Sequence, residues 1–282
     1  MPIKVLAETA LLTHGLAALS NEELLAQFPR DFDGLVWMEH GEIRRGNITA
    51  YLPFRKKAHE VKRIDGSMLA QARQEGTSAA LTASAAMAVA AQWGVPLVVT
   101  AGMGGIQDTA GHRMSYDLVA LASLPVSLLA TAPKDLFHLA GTVHWLREHG
   151  VTILGHGTDC CDGFLFLQKP VPLDGRYTGT VPAQGGLLVL NPLPRALRFR
   201  EEEILRRAVA RGETARQAGG LFHPAVNQAL DALTQGRSGQ LQLHSFIENI
   251  KLALAARIEP GGADFLRRRK TNAGRASPNS CE

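Results

Sequence analysis

The residues best suited to chemistry crowd into Thr100–Lys134. Gly102, Gly104 and Gly105 follow an apolar run, Ser115 and Asp117 come next, and Lys134 follows a second apolar run, Val126–Thr131. A glycine cluster lets the backbone approach an anion closely. Its spacing is neither the dinucleotide fingerprint nor a P-loop, so no nucleotide site follows from it. A lysine kept from water loses its proton more readily and turns into a nucleophile. Asp117 is placed to take that proton or to pair with the ammonium. Glu8 interrupts the apolar segment Ile3–Leu12, and a carboxylate there must be paired or line a cavity. Asn191 ends a further apolar run, where it can bind a ligand or cap a turn.

Strands must carry these residues. The segment from Ile3 to Leu12, Leu35–Met38, Ile48–Leu52, Val95–Thr100, Val126–Thr131, Val151–Gly155 and Leu187–Asn191 read as strands. Ser20-Asn-Glu-Glu23 reads as a helix start. Met68–Trp93 is largely alanine-rich and helix-forming, broken at Gly76-Thr-Ser78. Leu118–Ser123 and Asp135–His149 are helical, the latter ended by Gly150. Glu201–Arg216, Pro224–Leu233 and Leu243–Ile258 complete the helices. Strand–helix alternation predicts a three-layer α/β/α fold with a mostly parallel central sheet and a helical C-terminal part. In such sheets ligands bind beyond the carboxyl ends of the strands, where the chemistry-bearing residues fall. Residues 1–260 read as one domain. Residues 261–282 read as a basic, disordered tail.

The 282 residues suffice for one large core. A hydrophobic fraction of 45% with 20% charge is that of a globular protein. No apolar run reaches the roughly 20 residues of a membrane helix, and no secretory leader is legible, so a cytoplasmic location is expected. The three cysteines fit a reducing compartment, and Cys160-Cys161 match no zinc spacing. The net charge of +4 owes much to Arg267-Arg-Arg-Lys270 in the tail. No aromatic or groove-reading motif accompanies that cluster, so nucleic acid is not the expected partner.

Several motifs in order resemble the pseudouridine-5′-phosphate glycosidase family. Leu6-Ala-Glu8-Thr-Ala-Leu-Leu-Thr-His14-Gly15 resembles A-L-E-S-T-I-I-S-H-G, and Thr100-Ala-Gly-Met-Gly-Gly105 resembles T-G-G-I-G-G. Ser115-Tyr-Asp117-Leu118 is similar to S-A-D-L, and Lys134 stands where A-G-A-K has its lysine. Gly186–Pro194 is similar to G-L-L-V-A-N-P-I-P. The resemblance spans most of residues 3–258. It implies an α/β homotrimer that reversibly cleaves pseudouridine 5′-phosphate to uracil and ribose 5-phosphate. It implies Lys134 as Schiff-base nucleophile, Asp117 as its proton shuttle and Glu8 as acid/base at ring opening. It places Thr100 and Asn191 against the base, and Lys62 near the sugar phosphate, with Arg63 the alternative in that register. Gly102, Gly104, Gly105 and Ser115 join them as substrate-binding positions.

The departures are specific. The family's manganese-ligating aspartate is Arg113 here, and a guanidinium repels a cation. No metal cofactor is therefore expected, and Arg113 is assigned to grip a phosphate or carboxylate. The glycine motif continues as Ile106-Gln-Asp-Thr109 without the family's His-Arg pair, and Leu16–Ala58 diverges. The expected activity is a metal-independent C-glycosidase or C-glycoside synthase. Its partners are ribose 5-phosphate and a uracil-like or other nucleobase-like ring. The alternative is a non-catalytic sugar-phosphate-binding or regulatory protein on the same scaffold.

Overall fold

The computed structural model describes residues 4–107 and 114–260. Arg113 and the basic tail lie outside the described residues. Ten strands form one sheet: β1 (Val5–Ala7), β2 (Leu35–Glu39), β3 (Glu42–Gly46), β4 (Lys62–Ile64), β5 (Ala79–Leu81), β6 (Leu97–Val99), β7 (Ser127–Ala130), β8 (Thr152–Gly155), β9 (Gly175–Arg176) and β10 (Leu187–Leu190). Their order is β9-β8-β10-β7-β6-β1-β2-β5-β4, with β3 also paired to β2. The run from β9 to β2 is parallel. The strands β1, β6, β7 and β10 are apolar throughout or nearly so and buried along their whole length, as a sheet covered on both faces requires.

Helices α1 (Asn21–Gln27), α2 (Ile48–Arg55), α3 (Leu69–Gln74), α4 (Ala83–Trp93), α5 (Tyr116–Ser123), α6 (Leu139–Glu148), α7 (Glu202–Gln217), α8 (Phe222–Leu233) and α9 (Arg237–Leu254) surround the sheet. Both α4 and α9 pack on β1 and β6. The expected mixed α/β architecture is observed, with three helices closing the chain. The expected start of α1 is a full capping box between Ser20 and Glu23. Gly150, after α6, takes φ +81°, the left-handed turn that ends a helix.

Four segments differ from expectation. The strand expected over Ile3–Leu12 spans only Val5–Ala7, and Leu11–Gly15 is a short helical turn. Ile48–Leu52 is not a strand but the start of α2. Asn47 caps that helix through the Ala50 N–H, and its Tyr51 meets Trp37 edge-on while its Phe54 packs tilted against it. The side-chain cap and the aromatic cluster override the strand-like composition. Ala79–Leu81 sits in the alanine-rich run yet is strand β5, fully buried between β2 and β4. The final helix ends at Leu254, and Arg257–Glu259 pairs with Thr180–Pro182. Among the cysteines, Cys161 is a buried free thiol, whereas Cys160 is half-buried and already partnered.

The site follows from one topological turn. Strands β4 and β5 run antiparallel to β2, which itself runs parallel to β1. Their carboxyl ends therefore point back toward those of β1, β6 and β7. The Thr9 N–H reaches the Leu81 carbonyl at 3.1 Å where the two sets meet.

Candidate active site

Lys134, Glu8 and Asp117 converge at that meeting point. Lys134 leaves the short strand Ala132–Pro133, which pairs with Gly102–Met103, and its N–H donates to the Met103 carbonyl at 3.0 Å. The glycine loop and the lysine loop are thus zipped together. A Cβ at Gly102 would meet Lys134 Cγ at 2.9 Å, so the glycine makes room for the lysine side chain.

Glu8, just past β1, is 5% exposed. Its Oε1 accepts from Thr100 Oγ at 2.7 Å and its Oε2 from the Leu11 N–H at 3.3 Å. Burial raises its pKa, against the pull of Lys134. Burial lowers the Lys134 pKa, opposed by Glu8 and aided by Arg63. Both shifts favour the uncharged forms, a neutral amine beside a protonated acid.

Asp117 is held differently. Its Oδ1 accepts the Ser84 N–H at 2.9 Å and its Oδ2 the Gly104 N–H at 2.8 Å. Ser84 lies in the first turn of α4, where backbone donors lack helical partners. Asp117 itself lies in the first turn of α5, whose N-cap is Ser115. Two helix N-termini therefore meet on one carboxylate. The glycine loop does approach an anion closely, but that anion is Asp117. A Cβ at Gly104 would collide with Ser115, and one at Gly105 would meet Thr142 Oγ at 2.6 Å.

A narrow inner chamber of about 30 Å³ touches Glu8, Thr100, Gly102, His14 and Asn227. An outer chamber of about 330 Å³ touches Gly104, Ser115, Tyr116 and Phe137. Arg63, Asp117, Lys134 and His223 border both. The expected residues Glu8, Thr100, Gly102, Gly104, Ser115, Asp117 and Lys134 are thus brought together. Gly105 packs behind them. Lys62 is exposed outside both chambers, 3.8 Å from Glu75, and strand alternation turns Arg63 inward in its place. Asn191 borders neither chamber. It donates to Asn249 Oδ1 at 3.0 Å and lies 2.9 Å from His156 Nδ1, while Asn249 donates to the Thr100 carbonyl at 2.8 Å.

His14, Asn227 and His223 were not singled out by sequence as site residues. His14 lies in the Leu6–Gly15 motif, whereas the other two arrive on α8 with no local signal. His223 sits between Phe137 and Phe222, with ring centroids 5.9 and 5.3 Å away. Burial, then Lys134 and Arg63, push its pKa down to about 3, so it is neutral.

Among the described residues, the carboxylates bordering the outer chamber already accept hydrogen bonds. Asp117 spends both oxygens on backbone N–H groups, and Asp65 accepts from the Ser67 N–H and hydroxyl at 2.9 and 2.6 Å. Among the described residues no three His, Cys, Asp or Glu side chains gather to hold a metal.

A family model for indigoidine synthase A-like proteins matches residues 5–259. A pseudouridine-5′-phosphate glycosidase from Thermus thermophilus is 26% identical, the match covering 93% of this chain and 99% of the relative. Another from Methylobacterium nodulans is 28% identical over 92% of this chain and 84% of its own. The fold is shared with the prealnumycin C-glycosynthase AlnA, solved with ribulose 5-phosphate. The TM-score is 0.69 at 18% identity, covering 90% of this chain and 91% of that one.

Proposed function

The chain belongs to the indigoidine synthase A-like family, and on that premise we propose that it cleaves or forms a C–C glycosidic bond between ribose 5-phosphate and a nucleobase-like ring. The observation that carries this reading is a half-buried lysine that borders the same chamber as Glu8, a buried carboxyl group whose pKa burial raises. A carbon-linked base offers no glycosidic nitrogen to protonate, so two-carboxylate hydrolysis lacks a leaving group. A lysine imine solves the problem. As the ribose ring opens, the C1–O bond breaks, the ring oxygen takes a proton, and the Lys134 amine bonds to C1. The lysine nitrogen then forms the C1 iminium as the C–C bond breaks; the electron pair of that bond stays on the base carbon, which takes a proton, and water hydrolyses the iminium to free lysine and ribose 5-phosphate. Synthesis runs the same steps backward.

Each residue has a matching task. Glu8 gives and takes the proton at ring opening, a task that its raised pKa favours. Asp117 ties the glycine loop to α4 and faces the amine with negative charge. Arg63 has no ion-pair partner among the described residues and supplies positive charge for a phosphate. We propose that the reaction needs no metal, with Arg113 supplying charge at the family's ligand position. The family expectation of a homotrimer belongs to the same proposal, as does a cytoplasmic location. Among the described residues no helix is long and apolar enough to cross a membrane.

Purified protein incubated with pseudouridine 5′-phosphate and chelator should release uracil and ribose 5-phosphate. Given both products, it should regenerate the C-nucleotide. Failure in both directions, with saturating substrate and folded protein, defeats the proposal. Dependence on manganese, or metal-dependent gain of activity in Arg113→Asp, defeats its metal-free part.

A further inference from the structure

We propose that His223 is a specificity-determining residue for the sugar: its imidazole hydrogen-bonds one hydroxyl of a pentose chain stretched between Lys134 and Arg63. This rests on the C-glycosidic reading of the same site. His223 borders the inner chamber, the outer chamber and a third, smaller cavity, and Lys134 borders all three with it. Lys134 and Arg63 both act on the imidazole through their charge, so the ring itself lies near them. Packing between Phe137 and Phe222 limits how the ring can turn. Its two nitrogens make no hydrogen bond among the described residues, and neither is one of the unpartnered polar atoms sealed from solvent. Each therefore keeps surface that a ligand can reach.

The other groups on the wall common to both chambers already have partners or tasks. Lys134 bonds C1, and Arg63 supplies charge for the phosphate. Asp117 holds two backbone N–H groups, and the Thr82 hydroxyl lies 3.0 Å from that of Ser84. His223 is the uncharged polar group of that wall without a partner among the described residues. A pentose 5-phosphate joined at C1 to Lys134, with its phosphate on Arg63, lays its hydroxyl-bearing carbons between the two. In whichever chamber the chain lies, His223 borders it. The ring also has the right chemistry. Burial, then Lys134 and Arg63, keep it uncharged. An uncharged imidazole has one donor and one acceptor, and a hydroxyl offers both in return. A charged ring would offer donors alone and would compete with Arg63 for the phosphate. The two cations that bind the ends of the chain thus also hold the ring in the form that reads its middle. A sugar lacking the hydroxyl leaves the ring unpaired between two phenylalanines, so the site rejects it.

The test is the sugar concentration that half-saturates borohydride trapping on Lys134, read by intact mass at fixed pH. Ribose 5-phosphate, 2-deoxyribose 5-phosphate and 3-deoxyribose 5-phosphate are compared on wild type, His223→Phe and His223→Asn, with circular dichroism as the folding check. Wild type should need about tenfold more of one deoxy sugar than of ribose 5-phosphate, the effect of one lost buried hydrogen bond. His223→Phe should raise the ribose 5-phosphate value by about tenfold and leave that deoxy sugar unchanged, so that the discrimination disappears. His223→Asn, which keeps a donor and an acceptor, should retain part of it. An unchanged ribose 5-phosphate value in folded His223→Phe overturns the inference. Equal loss for every sugar, the mark of packing alone, also overturns it, as does a wild type that traps all of them alike. If His223→Phe does not fold, His223→Ala decides in its place. An adduct of ribose 5-phosphate on wild type upholds the underlying reading whatever the variants do. No adduct on folded wild type removes that reading and the inference with it.

Discussion

Glu8 and Asp117 are two buried carboxylates beside one lysine, and their surroundings give them different work. Asp117 takes two backbone N–H groups, one from the first turn of α4 and one from the glycine loop. Glu8 takes one hydroxyl and one long N–H contact, and burial raises its pKa. The first environment holds its carboxylate in place through both oxygens. The second leaves a carboxyl group with fewer partners, whose raised pKa favours the protonated form.

The comparison breaks or sharpens under substitution. Glu8→Gln preserves the acceptor for Thr100 and removes the exchangeable proton. It should lower kcat by about 10²–10⁴-fold with little change in melting temperature. Asp117→Asn puts an NH₂ against one of two backbone donors. It should cost about 1–3 kcal/mol of stability, read from denaturant midpoints, with a smaller direct loss in kcat. If Asp117→Asn instead matched Glu8→Gln in rate with no loss of stability, the roles would be reversed, and the proton-shuttle role expected for Asp117 would stand.

A third carboxylate, Asp135, tests whether gripping N–H groups alone decides such roles. It follows Lys134 directly and accepts the N–H groups of Phe164, Leu165 and Phe166 at 2.9, 2.8 and 3.2 Å. Burial nonetheless pushes its pKa up to about 6. Because the folded state holds that proton longer than the unfolded chain, its contribution to stability is largest below pH 3.8. That contribution falls as pH rises toward 6. Urea midpoints across pH 4 to 7 should show this downward component in wild type and lose it in Asp135→Asn. An upward trend ascribable to Asp135 would contradict the assignment.

Much of the site was legible because it sits on strand ends. The apolar runs before Glu8, Thr100 and Lys134 mark β1, β6 and β7, and the ends of such strands are where an α/β sheet presents its chemistry. What escaped was set by tertiary structure. Lys62 and Arg63 are one residue apart, and only the register of β4 against β5 decides which faces inward. The run Ala79–Leu81 reads as helix, and only its pairing with β2 and β4 makes it a strand. Asn191 does end a strand, but Asn249, 58 residues later, claims its amide. His223 and Asn227 reach the chambers on a helix whose sequence shows only an amphipathic pattern.

The most direct test is intact mass after incubation with ribose 5-phosphate and sodium borohydride, repeated across pH, with Lys134→Ala alongside. The account predicts one pentose-phosphate adduct on wild type and none on the variant. Trapping should be half-maximal below pH 10.5, the value for an unperturbed lysine, because burial lowers the Lys134 pKa. No adduct on folded wild type, or an adduct that survives Lys134→Ala, would contradict the lysine-centred chemistry.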